Sequence, residues 1–329
     1  MRRGLLLVNL GTPKAPQVPA VRSYLRAFLT DKRVIDLPAL LRYILVYVFV
    51  LPFRAKRSAH AYQAIWTECG SPLLWHSQNL LTQVQEELGA KYGVVLGMRY
   101  GEPSIAEQLN RLKQCESITI LPLYPQYSSA ASGSSIEEAL KIISSWDIIP
   151  SITVIRDFFQ HPAYIKAQTA VIKEQVKEYE HILFSYHGIP ERQITKNNCK
   201  SVCTDACPII SEQNQGCYKA QCHQSSRLLA QELQLSEQQY STAFQSRLGK
   251  TPWIKPYTDE RLNQLAAQGI KKLVIVCPSF VADCLETLEE ISISAKQQWQ
   301  ILGGTQLIVV PCLNAHPLWV KAIVEIISE

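Results

Sequence analysis

The sequence predicts an α/β protein built from two similar doubly wound, Rossmann-type domains, each with a four-stranded parallel sheet flanked by helices. Three observations lead there. Eight short runs rich in Val, Ile and Leu, at 5–10, 93–98, 117–123, 151–156, 182–187, 240–245, 272–278 and 306–311, lack polar alternation, as strands covered on both faces do. Segments with helical apolar spacing lie between them. The punctuation repeats as well. LVNLGTP (7–13) and FSYHGIP (184–190) each run a strand into Gly-x-Pro, and LPLYPQYS (121–128) and VCPSFVAD (276–283) each put Pro at the end of a third strand. The boundary falls near residue 160, giving domains 1–160 and 161–329 with a cleft between them.

A chain of 329 residues is long enough for two full cores. With 47% hydrophobic and 19% charged residues it is globular rather than disordered. The net charge of +5 comes without a dense block of Lys and Arg, which argues against nucleic acid and fits a small acidic ligand or an anionic membrane surface. Neither G-x-G-x-x-G nor a Walker A sequence occurs, so a nucleotide cofactor is not expected. Met1-Arg2-Arg3 passes at once into the first strand without a small-residue cleavage site, and the expected compartment is the cytoplasm, where disulfides are rare. The ten cysteines therefore need another explanation.

Taken in order, the first strand is followed by LPALLRYILVYVFVLPF (37–53), apolar on all sides from Tyr43 to Leu51. It is short for a bilayer span and carries Arg42 inside, with Arg54, Lys56 and Arg57 just beyond. Two readings stay open: a core helix, or an apolar lip touching a membrane surface or a greasy ligand. After the third strand comes the Ser-rich stretch 128–135, read as a loop, and Ser135-Ile136-Glu137-Glu138 has capping-box spacing for the next helix.

The second half opens with the strand that ends at His187. That carboxyl edge is where open α/β sheets bind ligands, although a satisfied strand-end histidine would look the same. Behind it, Cys199, Cys203, Cys207, Cys217 and Cys222 place half of the cysteines in 24 residues. Four thiolates suit structural zinc or an iron–sulfur cluster, and spacing alone leaves both open. The seventh strand leads into a helix on which Asp283, Glu286 and Glu290 fall at i, i+3 and i+7, one face in α-helical spacing. A histidine opposing carboxylates can bind a hard divalent cation or move protons.

FSYHGIPER (184–192) with PSFVADCLETLEE (278–290) resembles the ferrochelatase family, which inserts ferrous iron into a porphyrin to make haem. LVNLGTP (7–13), GSPLLWHS (70–77), MRYGEPSI (98–105), LPLYPQYSSAASGS (121–134) and FQSRLGKTPWIKPYTDE (244–260) fit the same family in the same order, so the resemblance spans nearly the whole chain. It implies two chelatase-like domains, protoporphyrin IX and Fe²⁺ as substrates, His187 as the catalytic histidine and Glu286 as its acidic partner, both meeting the metal. Glu290 and Asp283 continue an acidic path. Leu10, Arg99, Tyr100, Ser246, Trp253 and Phe280 match positions lining the porphyrin pocket, and Cys284 stands where some members carry His. Some members hold a [2Fe-2S] cluster in an insertion after the catalytic histidine; 193–222 resembles it, with Cys199, Cys203, Cys207 and Cys217 as ligands and Cys222 less favoured. The apolar segment 37–53 leads us to expect peripheral association with the inner face of the membrane without spanning it, and a C-terminal helix packing back on the first domain stays open. Rival readings are a chelatase for coproporphyrin III or for sirohydrochlorin with cobalt, and a non-catalytic haem or iron–sulfur sensor.

Overall fold

The computed structural model describes residues 2–196, 199, 202–204, 207–249 and 251–329; the rest of the expected insertion 193–222 lies outside them. The chain divides into two compact units, one of 1–124, 128–157 and 327–329, the other of 125–127 and 158–326.

The first unit carries β1 (Arg3–Gly11), β2 (Tyr92–Tyr100), β3 (Ser117–Pro122) and β4 (Ser151–Val154), all parallel, in the order β2-β1-β3-β4. Leu6 sits at the centre of the sheet between Val95 and Ile120 and joins a core that includes Ile105, Leu109 and Ile143. The second unit repeats this with β5 (His181–His187), β6 (Tyr240–Gln245), β7 (Lys272–Val276) and β8 (Gln306–Val309), again parallel, in the order β6-β5-β7-β8. Leu183 is central here, and the core on this side gathers Leu262, Ile275, Ile291 and Trp299. All eight sequence-predicted strands are present within a few residues of their expected ends. In each unit the first strand in the chain is interior, so its carboxyl end opens beside its neighbours' crossovers, where ligands bind in sheets of this class.

The glycines that end these two strands are required for different reasons. Gly11 has φ +106°, and a Cβ there would fall 1.7 Å from the Tyr100 carbonyl oxygen. Gly188 has ordinary φ, but a Cβ would come within 2.9 Å of the Gln245 carbonyl oxygen. Each lets the chain leave its strand pressed against the next strand.

The segment 37–53 is helical from Ala39, with a π-helical stretch at Leu45–Val50 followed by the helix Leu51–Ile65. Pro52 has no N–H to give to a carbonyl one turn back, and the helix runs in wider turns just before it. Leu40 is 72% exposed, Phe49 62% and Phe53 77%, with Leu41 and Val48 also exposed, while Val46, Leu51 and Ala55 are buried. A helix sunk in a core would not present such a face. Among the described residues no helix is long and apolar enough to cross a membrane.

Two helices depart from the sequence reading. The Ser-rich stretch is not a loop: Ser128 caps a π-helical turn, Ser129–Gly133, through a bond from the Ala131 N–H, and this continues into the helix Ser134–Ile143. Ser135 is therefore buried inside the helix rather than capping it. In the second unit the helix after β7 is π-helical over Glu286–Ala295 before the α-helical turn Lys296–Ile301. Asp283 precedes this helix, so the i, i+3, i+7 face does not include it. The C-terminal helix Pro317–Ile326 packs on Pro162–Gln175 within the second unit, with the Trp319 ring 5.4 Å from that of Phe158 and 6.1 Å from that of Tyr164.

Candidate active site

His187 is the last residue of β5, half-buried, and clamped through its own backbone. Its N–H donates to Ser279 Oγ at 3.0 Å, and its carbonyl accepts from the Tyr218 hydroxyl at 2.7 Å. The ring is oriented too. Nδ1 lies 2.6 Å from the Gly188 carbonyl oxygen, which can only accept, so Nδ1 carries the proton and a neutral ring keeps its lone pair on Nε2. The rings of Phe280 and Trp253 lie 6.2 Å and 6.4 Å from the imidazole and give it apolar flanks.

The carboxylates come from the π-helix. In an i→i+5 ladder, residues four to five apart return to one face, which brings Glu286 and Glu290 together. Ser246 fixes Glu290: its N–H donates to Oε1 at 2.7 Å and its hydroxyl donates to Oε2. Ser246 adopts φ +66°, a left-handed conformation that costs a non-glycine residue about 1–2 kcal/mol, and the bidentate grip on Glu290 offsets that strain. Burial raises the Glu290 carboxyl above the usual range; the two Ser246 donors and the charge of His187 oppose the rise, and Glu286 adds to it. The Glu286 carbonyl takes a bond from Gln245 Nε2 at 2.9 Å, and Gln245 Oε1 accepts from Ser185 Oγ at 2.7 Å. The buried Gln245 thus ties β5 and β6 to the carboxylate helix.

Asp283 is placed otherwise. Asn314 Nδ2 donates to its Oδ2 at 2.7 Å, and its Oδ1 accepts from Thr287 Oγ1 at 3.0 Å and from the Cys312 N–H at 3.3 Å. Its carboxylate latches the start of the helix to 312–314. Cys284 is buried, and that burial pushes its thiol well up, so it stays neutral.

In the first unit, Leu10 is the penultimate residue of β1 and half-buried. Arg99 and Tyr100 are engaged around Asp31. Arg99 Nη2 donates to Asp31 Oδ2 at 2.7 Å, as do the Tyr100 hydroxyl at 2.8 Å and Ser134 Oγ at 2.5 Å, and the guanidinium lies 4.7 Å from the centre of the Tyr100 ring. Burial would raise the Asp31 carboxyl, but the Ser134, Arg33 and Tyr100 hydrogen bonds and the Arg99 charge together hold it below the usual range. Sequence reasoning missed Asp31, Gln245, Tyr218 and Ser279. Each acts through a partner far away in the chain, and no local spacing signals it.

Cys207 and Cys217 lie in contact and share a hydrogen bond. Cys217 stands at the N-cap of the helix Tyr218–Glu232. The Cys207 hydrogen bond first, and the Ala220 and Lys219 N–H groups after it, lower the Cys217 thiol against the effect of burial. The bond to Cys217 and burial push Cys207 well up. Cys222 is fully buried one turn into the helix, and its thiol is raised by that burial. Among the described residues no three His, Cys, Asp or Glu side chains already stand in a metal-holding arrangement. The donor chemistry of Cys199, Cys203, Cys207 and Cys217 fits a thiolate-ligated centre.

Comparison with known proteins places this geometry. The ferrochelatase family model matches residues 2–329. A ferrochelatase of Legionella pneumophila (strain Lens) is 62% identical over 329 residues, covering 100% of this chain and 99% of its own. A ferrochelatase of Coxiella burnetii (strain Dugway 5J108-111) is 52% identical over 333 residues, covering 99% and 93%. Among solved structures, the sirohydrochlorin chelatase SirB of Bacillus subtilis in complex with cobalt superposes with a TM-score of 0.56 at 11% identity, covering 100% of this chain and 95% of that one. At that identity the likeness is one of fold.

Proposed function

The chain belongs to the ferrochelatase family, the enzymes that insert ferrous iron into protoporphyrin IX to complete haem, and we propose that the residues around the end of β5 carry out that step here. The observation that carries this reading is the oriented His187 ring, its Nδ1 committed to Gly188, beside a half-buried Glu290.

Insertion releases two pyrrole protons as Fe²⁺ enters the ring. His187 Nε2, left with its lone pair, is the acceptor. Glu286 stands next, and Glu290, whose raised carboxyl takes up a proton more readily than an ordinary glutamate, passes protons onward. Asp283 anchors the far end of this acidic path. Oxygen and nitrogen donors hold Fe²⁺ more loosely than thiolates do, which suits a metal that must be handed over. Phe280 and Trp253 offer apolar faces to the macrocycle, with Ser246 holding Glu290 in the same unit. Binding energy from the ring's apolar periphery is available to bend it so that its nitrogens meet the metal.

Cys199, Cys203, Cys207 and Cys217 would hold the [2Fe-2S] cluster, with Cys222 left to the helix core. When bound, the cluster supplies a one-electron redox centre, and its ligation adds to folding stability. The residue after Cys217 is Tyr218, whose hydroxyl grips the His187 carbonyl, so the order of this segment reaches the active-site strand directly. The protein works in the cytoplasm, and the exposed lip 37–53 attaches it peripherally to the inner face of the membrane.

Purified protein given Fe²⁺ and protoporphyrin IX anaerobically should develop the absorbance of the iron porphyrin; turnover with a different tetrapyrrole alone would overturn the substrate assignment. The same preparation should contain about two iron and two acid-labile sulfide per chain, and Cys203→Ser or Cys207→Ser should bleach its colour. Colourless, active protein with stoichiometric zinc would make the insertion a zinc site.

A further inference from the structure

Between residues 1 and 67 the sequence holds eleven Lys and Arg against only two Asp and Glu, Asp31 and Asp36, so positive charge concentrates in the part of the first unit that bears the lip. Asp31 is already committed to Arg99. Arg22 and Arg26 stand apart from every other neutralising contact: both are exposed, one turn apart on the helix Val18–Leu29, and neither guanidinium takes a hydrogen bond or ion pair among the described residues. They open into a cavity of about 430 Å³, walled on the other side by Tyr47, Leu51 and Pro52 of the lip helix and floored by Pro19 and Ser23. Beside it the lip exposes Val48, Phe49 and Phe53. All of these residues belong to the first unit.

We propose that this cavity is a headgroup site for one acidic phospholipid, with the Arg22 and Arg26 guanidiniums taking the phosphate while Phe49 and Phe53 enter the acyl region. The proposal rests on the peripheral membrane reading and narrows it to a lipid class and a place. Residues four apart on a helix lie about 5–6 Å from each other at Cβ, a span that lets two guanidinium forks share one phosphate. The cavity lies within the roughly 300–1,000 Å³ of small-molecule sites. A phosphate held by the rim of the lip sets the depth of apolar insertion, which a uniformly greasy surface does not. The two sets of groups divide the work: the aromatic tip supplies hydrocarbon contact, and the arginine pair supplies selectivity for negative charge.

The test uses the full chain and vesicles of phosphatidylcholine alone or with one-fifth phosphatidylglycerol, read by co-sedimentation, with thermal melting to show that each variant is folded. Wild type should bind the acidic vesicles at least ~10-fold more tightly than the neutral ones, and Arg22→Gln/Arg26→Gln should lose most of that difference while leaving solution metal insertion unchanged. Ser23→Trp keeps both charges but fills the cavity; it should reproduce the loss. If Ser23→Trp binds like wild type, diffuse surface charge suffices and the headgroup site is wrong. Phe49→Ser/Phe53→Ser tests the broader reading separately: it should abolish binding to both kinds of vesicle. If that variant loses binding while Arg22→Gln/Arg26→Gln retains its acidic preference, the membrane reading stands and the headgroup site falls. If wild type binds neither vesicle, both fall. Saturable binding of glycerol phosphate to the arginine pair without vesicles, at an affinity equal to that for the lipid, would also overturn the assignment to a lipid.

Discussion

The two units use one topology for two different purposes. In both, four parallel strands run in the same order, the first strand is interior and ends in Gly-x-Pro, and the helix after the third strand begins with π-helical turns. The difference lies in what stands on that shared frame. Where the second unit has His187, the first has Leu10 at the matching place in its motif; where the second has Glu286 and Glu290 on its π-helix, the first has Ser129, Ala130, Ala131, Ser132 and Gly133. One edge carries an imidazole and two carboxylates, and the other carries Leu10 and a run of small residues. The fold supplies positions, and the side chains placed there decide the chemistry.

The sharpest way to break this comparison is to strip each edge in turn. His187→Ala should lower metal insertion by about 10²–10⁴-fold, the usual range for loss of a general base, while porphyrin binding measured by fluorescence survives. Leu10→Ala removes only apolar contact and should raise KM for the porphyrin with kcat within about threefold of wild type. Equal effects of the two on kcat would erase the asymmetry.

The glycines come next. Gly11→Ala demands both a left-handed backbone and a Cβ at 1.7 Å from Tyr100 O, and should cost more than ~4 kcal/mol in denaturant unfolding or prevent folding. Gly188→Ala meets Gln245 O at 2.9 Å with ordinary φ and should cost about 1–3 kcal/mol. The reverse order would mean that the two strand ends are not built as described.

A smaller effect is expected at the link from the cysteine segment. Tyr218→Phe removes the bond to the His187 carbonyl, a contact of about 0.5–1.5 kcal/mol, and should lower kcat several-fold without changing porphyrin affinity. An unchanged kcat would show that the His187 backbone needs no clamp on that side.

The smallest effect is a pH dependence. Because burial raises the Glu290 carboxyl, the folded state binds a proton there that the unfolded chain has already released. The contribution of Glu290 to stability is therefore present at low pH and declines as pH rises above the ordinary carboxylate value of about 4.3. Glu290→Gln should melt higher relative to wild type at pH 7 than at pH 4.5. A melting difference that stayed constant across that interval would contradict the raised carboxyl.

Much of this was legible in the chain. Strands without alternation announce parallel sheets, and the repeated Gly-x-Pro announced the duplication. His187 could be picked out because it ends a readable strand, and Glu286 and Glu290 because they lie on the helix that follows one. α-Helical spacing puts Asp283 on the carboxylate face, but a π-helix has another period, and the helix begins only after Asp283. The same α-helical reading puts a cap at Ser135, which the π-helical turn from Ser128 buries. Asp31, Gln245 and Tyr218 were illegible because their partners Arg99, Glu286 and His187 lie 68, 41 and 31 residues away. Only the fold brings them together.

The central claim is that the imidazole of His187 is the proton acceptor during metal insertion, and chemical rescue tests it most directly. His187→Ala, saturated with protoporphyrin IX and Fe²⁺ under anaerobic conditions, should regain at least ~10-fold in insertion rate when free imidazole is added, with a pH profile that follows the neutral form of the added base. A variant that already turns over like wild type would contradict the claim, as would one that binds porphyrin normally yet shows no response to imidazole at any pH.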